Sequence, residues 1–495
     1  MKRILTAFLF YLCVAVLPSG AQVVWADFSD PDVCEGTEGD YWLTASSFQC
    51  TPGLPILHSK DMVHWELVNY ALERLLPDEH YAEVRHGCGV WAPSIRRHND
   101  EYYIYWGDPD YGVFMVKTTD PRGRWSEPVL VLEGKGVIDT CPLWDDDGRC
   151  YLVNGWANSR CGFNAVLTVR ELSPDGTKAI GQPRLVYDGQ VEGNHTIEGP
   201  KFYKHDGYYY ILAPAGGVAE GWQLALRSRN VYGPYESKRV FDKDGIHQGG
   251  LAGNHFVAFQ ERTAWGRILH LLDVEWRQGW PMMKLSKSDN PWGTYTVADE
   301  RLRYQWHANY HDTFGFLTQK GVRVYGHNVS DDYKSLWEVP NLYLKKFEGE
   351  TFVDTLRMTI SARAGGQQSG FVVMGRDYYC LSAAFDGEKF MLRQVICKGA
   401  DKGGTETGKT IANIPSRSYG KGAKTIYECA LWVIVTCDRK GVCRFAFSAD
   451  GKKFTEIADS FQAREGVWIG AKYGIFSIAP QGKTKGWVDL EIGKR

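Results

Sequence analysis

Several things are missing from this sequence, and each absence narrows its function. Beyond the first twenty positions there is no run of about 18 uninterrupted apolar residues, which excludes a membrane-spanning helix there. Charge of neither sign dominates: 57 Lys and Arg face 59 Asp and Glu, a formal net charge of −2. Without a basic footprint, nucleic acid is not an expected partner. There is no CxxC pair and no Cys/His spacing of the zinc-binding kind. There is no acidic D-x-D-x-D-G calcium loop. No stretch shows a clear 3.6-residue apolar period, so long amphipathic helices are not expected. Disorder is excluded too, because 44% of the residues are hydrophobic and only 23% charged.

The N-terminus reads as a targeting segment, residues 1–21. Lys2-Arg3 is a positive n-region, Ile4 to Leu17 an apolar h-region, and Ser19-Gly20-Ala21 a small-residue cleavage site. Cys13 lies inside the apolar run, which argues against a lipid anchor. Removing Lys2 and Arg3 takes the formal charge from −2 to −4. A periplasmic or secreted protein is expected. Of 12 cysteines, 11 follow the leader, and the sequence leaves bridges and free thiols both open.

Aromatics and glycine are abundant. Aromatics reach 14%, with 18 Trp and 27 Tyr, and there are 54 Gly. That combination suits many short strands joined by tight turns. Most of the rings are expected in cores and cross-strand pairs, with a few left to line a site. A repeat orders them. An aromatic or β-branched run follows a turn at Asp40-Tyr41-Trp42-Leu43, Asp100-Glu101-Tyr102-Tyr103-Ile104, Asp147-Gly148-Arg149-Cys150-Tyr151-Leu152, Asp206-Gly207-Tyr208-Tyr209-Tyr210 and Gly253-Asn254-His255-Phe256-Val257. Four of these are followed by a polar turn leading to an aromatic: Trp65, Trp125, Tyr235 and Tyr295. Five all-β units predict a five-bladed β-propeller over 22–298. Beyond it, alternating strands such as Leu431-Trp432-Val433-Ile434-Val435 predict a β-sandwich of the concanavalin or jelly-roll kind over 299–495. The segment Gly399 to Lys409 reads as a polar loop.

Three acids each precede an aromatic strand and stand beside a Pro or Gly turn: Asp30 in Ser29-Asp30-Pro31, Asp139 in Ile138-Asp139-Thr140-Cys141-Pro142, and Glu198 in Glu198-Gly199-Pro200. In a propeller such positions converge on the axis. Glycoside hydrolysis needs one ionised carboxylate, one protonated one, and a defined gap between them. A third carboxylate can raise the acid's pKa by like-charge repulsion. Singly, each acid also suits a structural turn. Asp145-Asp146-Asp147-Gly148 is read as a solvated hairpin turn only.

In order along the chain, these motifs resemble glycoside hydrolase family 43. The residues carrying the resemblance are Ser29-Asp30-Pro31-Asp32-Val33; Pro52-Gly53-Leu54-Pro55-Ile56 with Trp65; Gly89-Val90-Trp91-Ala92-Pro93-Ser94-Ile95; Ile138-Asp139 with Cys141-Pro142-Leu143-Trp144; Ile197-Glu198-Gly199-Pro200-Lys201-Phe202; His247-Gln248-Gly249-Gly250; and Gly266-Arg267 with His270. It extends into the sandwich through Tyr304-Gln305-Trp306, Phe371-Val372-Val373-Met374-Gly375 and Gly474-Ile475-Phe476. The chain departs from the common Asp-Pro-Ser form at Asp139-Thr140-Cys141-Pro142.

The resemblance implies an inverting glycosidase with Asp30 as general base, Asp139 tuning the acid, and Glu198 as general acid. Arg267 matches a sugar-contacting arginine near the acid-tuning aspartate. His247 matches an axial histidine that in many members stands beside a water-ligated cation, often calcium, so Ca²⁺ is the one cofactor expected; no organic cofactor is. Trp91, Phe48, His86 and Trp222 are expected around the sugar, with Trp265 a further wall residue and Tyr304-Gln305-Trp306 a loop closing the pocket. The implied partner is an arabinose- or xylose-containing oligo- or polysaccharide. Exo-release of terminal α-L-arabinofuranosyl units is favoured, with β-D-xylosidase action as the alternative. Two rivals remain: a retaining five-bladed relative such as a fructosidase, and a carbohydrate-binding protein without catalysis.

Overall fold

The structure is a computed structural model, and it describes residues 20, 21, 23–288 and 295–493. The expected leader, residues 1–21, lies almost entirely outside them. Among the described residues the chain is all strand apart from single helical turns, as its missing helical period predicts. The five units are five radially placed sheets. Blade 1 is built from Asp32–Glu35, Tyr41–Thr44, Gly53–Ser59 and Glu66–Leu72. Blade 2 spans Trp91–His98 to Val129–Glu133, blade 3 Val137–Trp144 to Arg184–Asp188, and blade 4 Lys201–His205 to Glu236–Phe241. In blade 5, His247–Ala252, His255–Glu261 and Arg267–Arg277 pair in order. An outer strand of this blade comes from the far end of the chain: Val23–Val24 pairs with Leu269 and His270 and closes the ring.

The recurring turn has a common chemistry. Trp65 Nε1 donates to the carbonyl of Met62, Trp125 Nε1 to that of Pro121, and the Tyr235 hydroxyl to that of Val231. Each ring packs beside its blade while its one polar atom satisfies the turn that precedes it. Tyr295 breaks the pattern and bonds Glu348 of the second domain.

The sandwich follows. One sheet runs, in spatial order, through Tyr304–Trp306, Tyr343–Lys346, Lys472–Pro480, Gln368–Met374, Tyr378–Phe385, Phe390–Cys397 and Glu406–Ile414. The facing sheet centres on Phe352–Ala362, Ile426–Cys437 and Val442–Ser448. Alternation decides which side chains enter the core: along Ile426–Cys437, Cys429, Leu431, Val433, Val435 and Cys437 are buried and the residues between them are less so. The segment expected as a loop at 399–409 is a helical turn at Ala400–Lys402 followed by a strand from Glu406, paired with Phe390–Cys397. Its polar side chains mark an exposed edge of the sheet.

Candidate active site

Each innermost strand enters the axis through the same distorted step. Asp30, Ala92, Asp139, Gly199 and Gln248 have φ of +51°, +24°, +57°, +56° and +50°, one in each blade. Each is followed by Pro31, Pro93, Thr140, Pro200 or Gly249. In blades 2, 3 and 5 the strand register also slips at this point. Left-handed backbone costs a non-glycine residue roughly 1–3 kcal/mol, so the surrounding structure must hold it. The result is a ring of side chains turned toward the axis, and it closes on a cavity.

The cavity has a volume of about 90 Å³, on the order of three waters and closer to one sugar ring than to a chain. Asp30, Asp139 and Glu198 all line it, with Phe48, Trp91, Arg267, Gln248, Val218 and Trp468. The three acids, far apart in sequence, therefore meet as expected. Asp30 is 5% exposed and Asp139 4%. Both oxygens of Asp30 are engaged: Oδ1 accepts from Arg267 Nη1 at 2.5 Å, and Oδ2 from the Ser46 hydroxyl at 2.7 Å. Ser46 in turn accepts the Ala92 backbone N–H at 2.8 Å, so its own proton is directed at Asp30. Asp139 Oδ2 accepts the N–H of Gly199, the residue next to Glu198, at 2.8 Å. Burial, then the nearby Asp139 charge, push the Glu198 carboxyl well above the ordinary carboxylate range. Burial and the Asp30 charge raise Asp139 too, while the Gly199 N–H and the cations Lys201 and Arg267 oppose them.

Below this ring the axis is filled. Lys201 is fully buried and donates to the Pro93 carbonyl at 2.6 Å, while Arg96 pairs with Asp32 at 2.6 Å. The channel is filled there by these side chains.

Among the expected wall residues, Trp91 and Phe48 line the cavity. Trp91 is held by an Nε1–H bond to the Gly87 carbonyl at 2.7 Å. His86 does not line it: its ring stacks on Trp337 of the sandwich, with centroids 3.5 Å apart. Trp222 does not line it either, being packed against Gly216 on one side and the Arg239 guanidinium, 4.0 Å from its ring, on the other. Trp265 lies between the domains, bonded to the Gly349 carbonyl. Tyr304-Gln305-Trp306 is a core strand of the sandwich, not a closing loop. Arg267 lines the cavity with Asp139, and its guanidinium is bonded to Asp30.

Trp468 closes the pocket in place of the expected loop. It comes from the sandwich, has φ +63°, is 46% exposed, and meets Trp91 edge-on at 6.3 Å. Its seat is Asp27. One Asp27 oxygen accepts from the Ser29 hydroxyl at 2.7 Å and from Arg267 N–H at 3.1 Å; the other accepts from Gly470 N–H at 2.8 Å. Neither residue was reachable from the sequence, because their meeting spans more than 430 positions.

His247 is 2% exposed, and burial lowers its pKa to about 4, so the ring is neutral. Its Nε2–H donates to the Val218 carbonyl at 3.0 Å and steadies that stretch of wall. Its Nδ1 is buried without a partner. One nitrogen is a poor start for a cation that takes six to eight oxygens. Among the described residues no three His, Cys, Asp or Glu side chains surround a common point. The residues present do not form a calcium cage, and no step below passes through one.

Comparison with known proteins decides the family. The model of "Glycosyl hydrolases family 43" matches residues 21–281, and that of "Beta xylosidase C-terminal Concanavalin A-like domain" matches 296–492. The chain belongs to glycosyl hydrolase family 43. It is a glycoside hydrolase, built as a family-43 propeller with a concanavalin-like sandwich behind it. A relative from Xylanibacter ruminicola is 30% identical over 491 residues, covering 92% of this chain and 86% of the other. The beta-xylosidase of Formosa agariphila is 24% identical, covering 94% and 88%. The non-reducing end alpha-L-arabinofuranosidase of Bacteroides ovatus is 35% identical, covering 43% and 39%. A solved xylan beta-1,4-xylosidase from Bacillus halodurans shares the fold at a TM-score of 0.75 and 19% identity, covering 96% and 99%.

Proposed function

We propose that the protein is an exo-acting, inverting glycosidase that removes one terminal pentosyl unit from a plant cell-wall oligo- or polysaccharide. The observation that carries this reading is the convergence of Asp30, Asp139 and Glu198 on one small cavity. Glu198, held protonated, gives its proton to the glycosidic oxygen as the bond breaks. Asp30, an acceptor fixed by Arg267 and Ser46, takes a proton from the water that attacks the anomeric carbon from the opposite face. Asp139 keeps the proton on Glu198 by its own charge, and its bond to Gly199 N–H fixes the backbone beside the acid. Trp91 and Trp468 bracket the sugar. A cavity walled by rings and plugged below suits one unit at a chain end, and not the middle of a chain.

Of the two pentoses, β-D-xylosyl gains support from the full-length relative named a beta-xylosidase. The α-L-arabinofuranosyl reading keeps support from the Bacteroides ovatus relative, which is more similar over a shorter span. Its leader suggests that the enzyme acts in the periplasm or outside the cell.

The test is hydrolysis of p-nitrophenyl β-D-xyloside and α-L-arabinofuranoside by the wild type and Glu198→Gln, with proton NMR of the first anomer released. Release of an inverted pentose by the wild type alone is expected. Retention of configuration would remove the assignment of Asp30 as base. Equal rates from both proteins on an unactivated xylo- or arabino-oligosaccharide would remove Glu198 as acid. Binding without cleavage of any xylan or arabinan fragment would favour a sugar-binding role.

A further inference from the structure

Two of the buried cysteines face one another. Ile426–Cys437 and Val442–Ser448 form an antiparallel hairpin, and Cys437 and Cys443 are register partners at its turn end. Asp438 N–H donates to the Val442 carbonyl at 3.2 Å and Gly441 N–H to that of Asp438 at 2.9 Å. By alternation, Cys437 and Cys443 occupy a non-hydrogen-bonded pair, where Cα atoms come within about 4.5 Å. That lies inside the span of about 4.4–6.8 Å that a disulfide bridges. Both side chains point into the core, 3% and 0% exposed, and the Cys437 thiol donates to the Asp438 carbonyl at 3.6 Å. Cys380 and Cys397 also sit on neighbouring strands, but each is paired with another residue, two positions out of step.

The hairpin's turn packs against two segments that lead to cavity residues. The Gly441 carbonyl accepts Ala463 N–H at 2.9 Å, and Gln462 Nε2 donates to the Lys440 carbonyl at 2.8 Å. The chain then runs from Ala463 to Trp468. On its other side Gly441 lies against Ala264 and Trp265: a methyl group at its α-carbon would sit 3.4 Å from one and 3.6 Å from the other. Gly266 and Arg267 follow directly. The same turn therefore supports two cavity residues, one from each domain.

We propose that Cys437 and Cys443 close into a cross-strand disulfide that staples this hairpin when the chain folds in the presence of a disulfide oxidant. Two S–H bonds break and one Sγ–Sγ bond forms. The two electrons reduce the oxidant's disulfide (oxidised glutathione, or a protein oxidase of the exported compartment) to two thiols, which also take up the protons. Because both sulfurs are buried in the finished fold, the exchange belongs to the folding chain, before the hairpin docks.

The test uses the full chain, unfolded with reductant, refolded in oxidised glutathione, then denatured, alkylated and digested. The expected result is one linked peptide pair joining 437 to 443, two hydrogens lighter than the sum of its parts, which reductant separates. The Cys437→Ala/Cys443→Ala double variant lacks it and melts roughly 5 °C lower than the oxidised protein. Alkylation of both Cys437 and Cys443 in refolded wild type overturns the proposal, however the variant folds. So does a bridge that joins either of them to a different cysteine.

Discussion

Asp27→Asn is the sharpest probe of how the two domains share one cavity. The carboxylate accepts three hydrogen bonds, two on one oxygen and one on the other. An amide keeps one acceptor oxygen. Facing that oxygen toward Ser29 and Arg267 preserves two bonds and turns an NH₂ group toward Gly470 N–H, which then has no acceptor. Losing one charge-assisted bond and stranding a buried donor costs about 2 kcal/mol. Expressed in the seating of the 464–470 loop, this is roughly a thirtyfold shift toward the undocked form. Trp468 then leaves the sugar while Asp30, Asp139 and Glu198 stay in place. KM should rise several-fold to thirtyfold with a smaller fall in kcat, measured with the p-nitrophenyl glycoside that the wild type cleaves. Trp468→Ala should raise KM alike, and the double variant should add little to either single one. A variant with a lowered melting temperature and an unchanged KM would refute the reasoning, because Asp27 would then only hold the domains together.

Other expectations follow from the same cavity. Glu198→Gln should lower kcat at least a thousandfold on unactivated oligosaccharides, and the wild-type rate should fall as pH rises through the raised Glu198 pKa; a rate that holds flat above neutrality would contradict the protonated acid. The folded protein keeps a proton that the unfolded chain gives up above its ordinary carboxyl pKa. Stability should therefore be greatest below that ordinary value and decline as pH rises through the raised one, a slope that Glu198→Gln removes in thermal melts. Ser46→Ala should cut kcat by roughly tenfold, because Asp30 loses the hydroxyl that fixes one of its oxygens; Ser46→Thr, which keeps the hydroxyl, should restore it. Dialysis against a chelator should leave kcat unchanged, since His247 offers a single nitrogen; loss of activity restored by Ca²⁺ would overturn that.

Much of this was legible in the sequence, for a physical reason. A propeller repeats one local solution, so each blade writes its own turn and its own aromatic strand, and Trp65, Trp125 and Tyr235 repeat a bond as well as a position. Asp30, Asp139 and Glu198 stood out because the same placement, an acid beside a Pro or Gly turn ahead of an aromatic strand, recurs in three of the five units. Ala92 and Gln248 complete the same fivefold step, but an alanine and a glutamine carry no catalytic signal. The step shows itself only when Asp30-Pro31, Ala92-Pro93, Asp139-Thr140, Gly199-Pro200 and Gln248-Gly249 are aligned on backbone conformation. Trp468 and Asp27 were invisible for another reason: their roles arise from docking between domains, which leaves no periodic trace. His86 and Trp222 were misplaced because an aromatic near a motif can pack against its neighbour as readily as against a ligand.

Val23–Val24, the strand that completes blade 5, has a consequence for the order of events in making the enzyme. It is synthesised well before its partner strand, which ends at Arg277, more than half the length of this chain later. The ring cannot shut until nearly the whole propeller has been synthesised, and its opening stretch must be free to come back. Any segment attached just ahead of Val23 meets the seam of blade 5, and an N-terminal tag placed there without a spacer would tether the strand on which that closure depends.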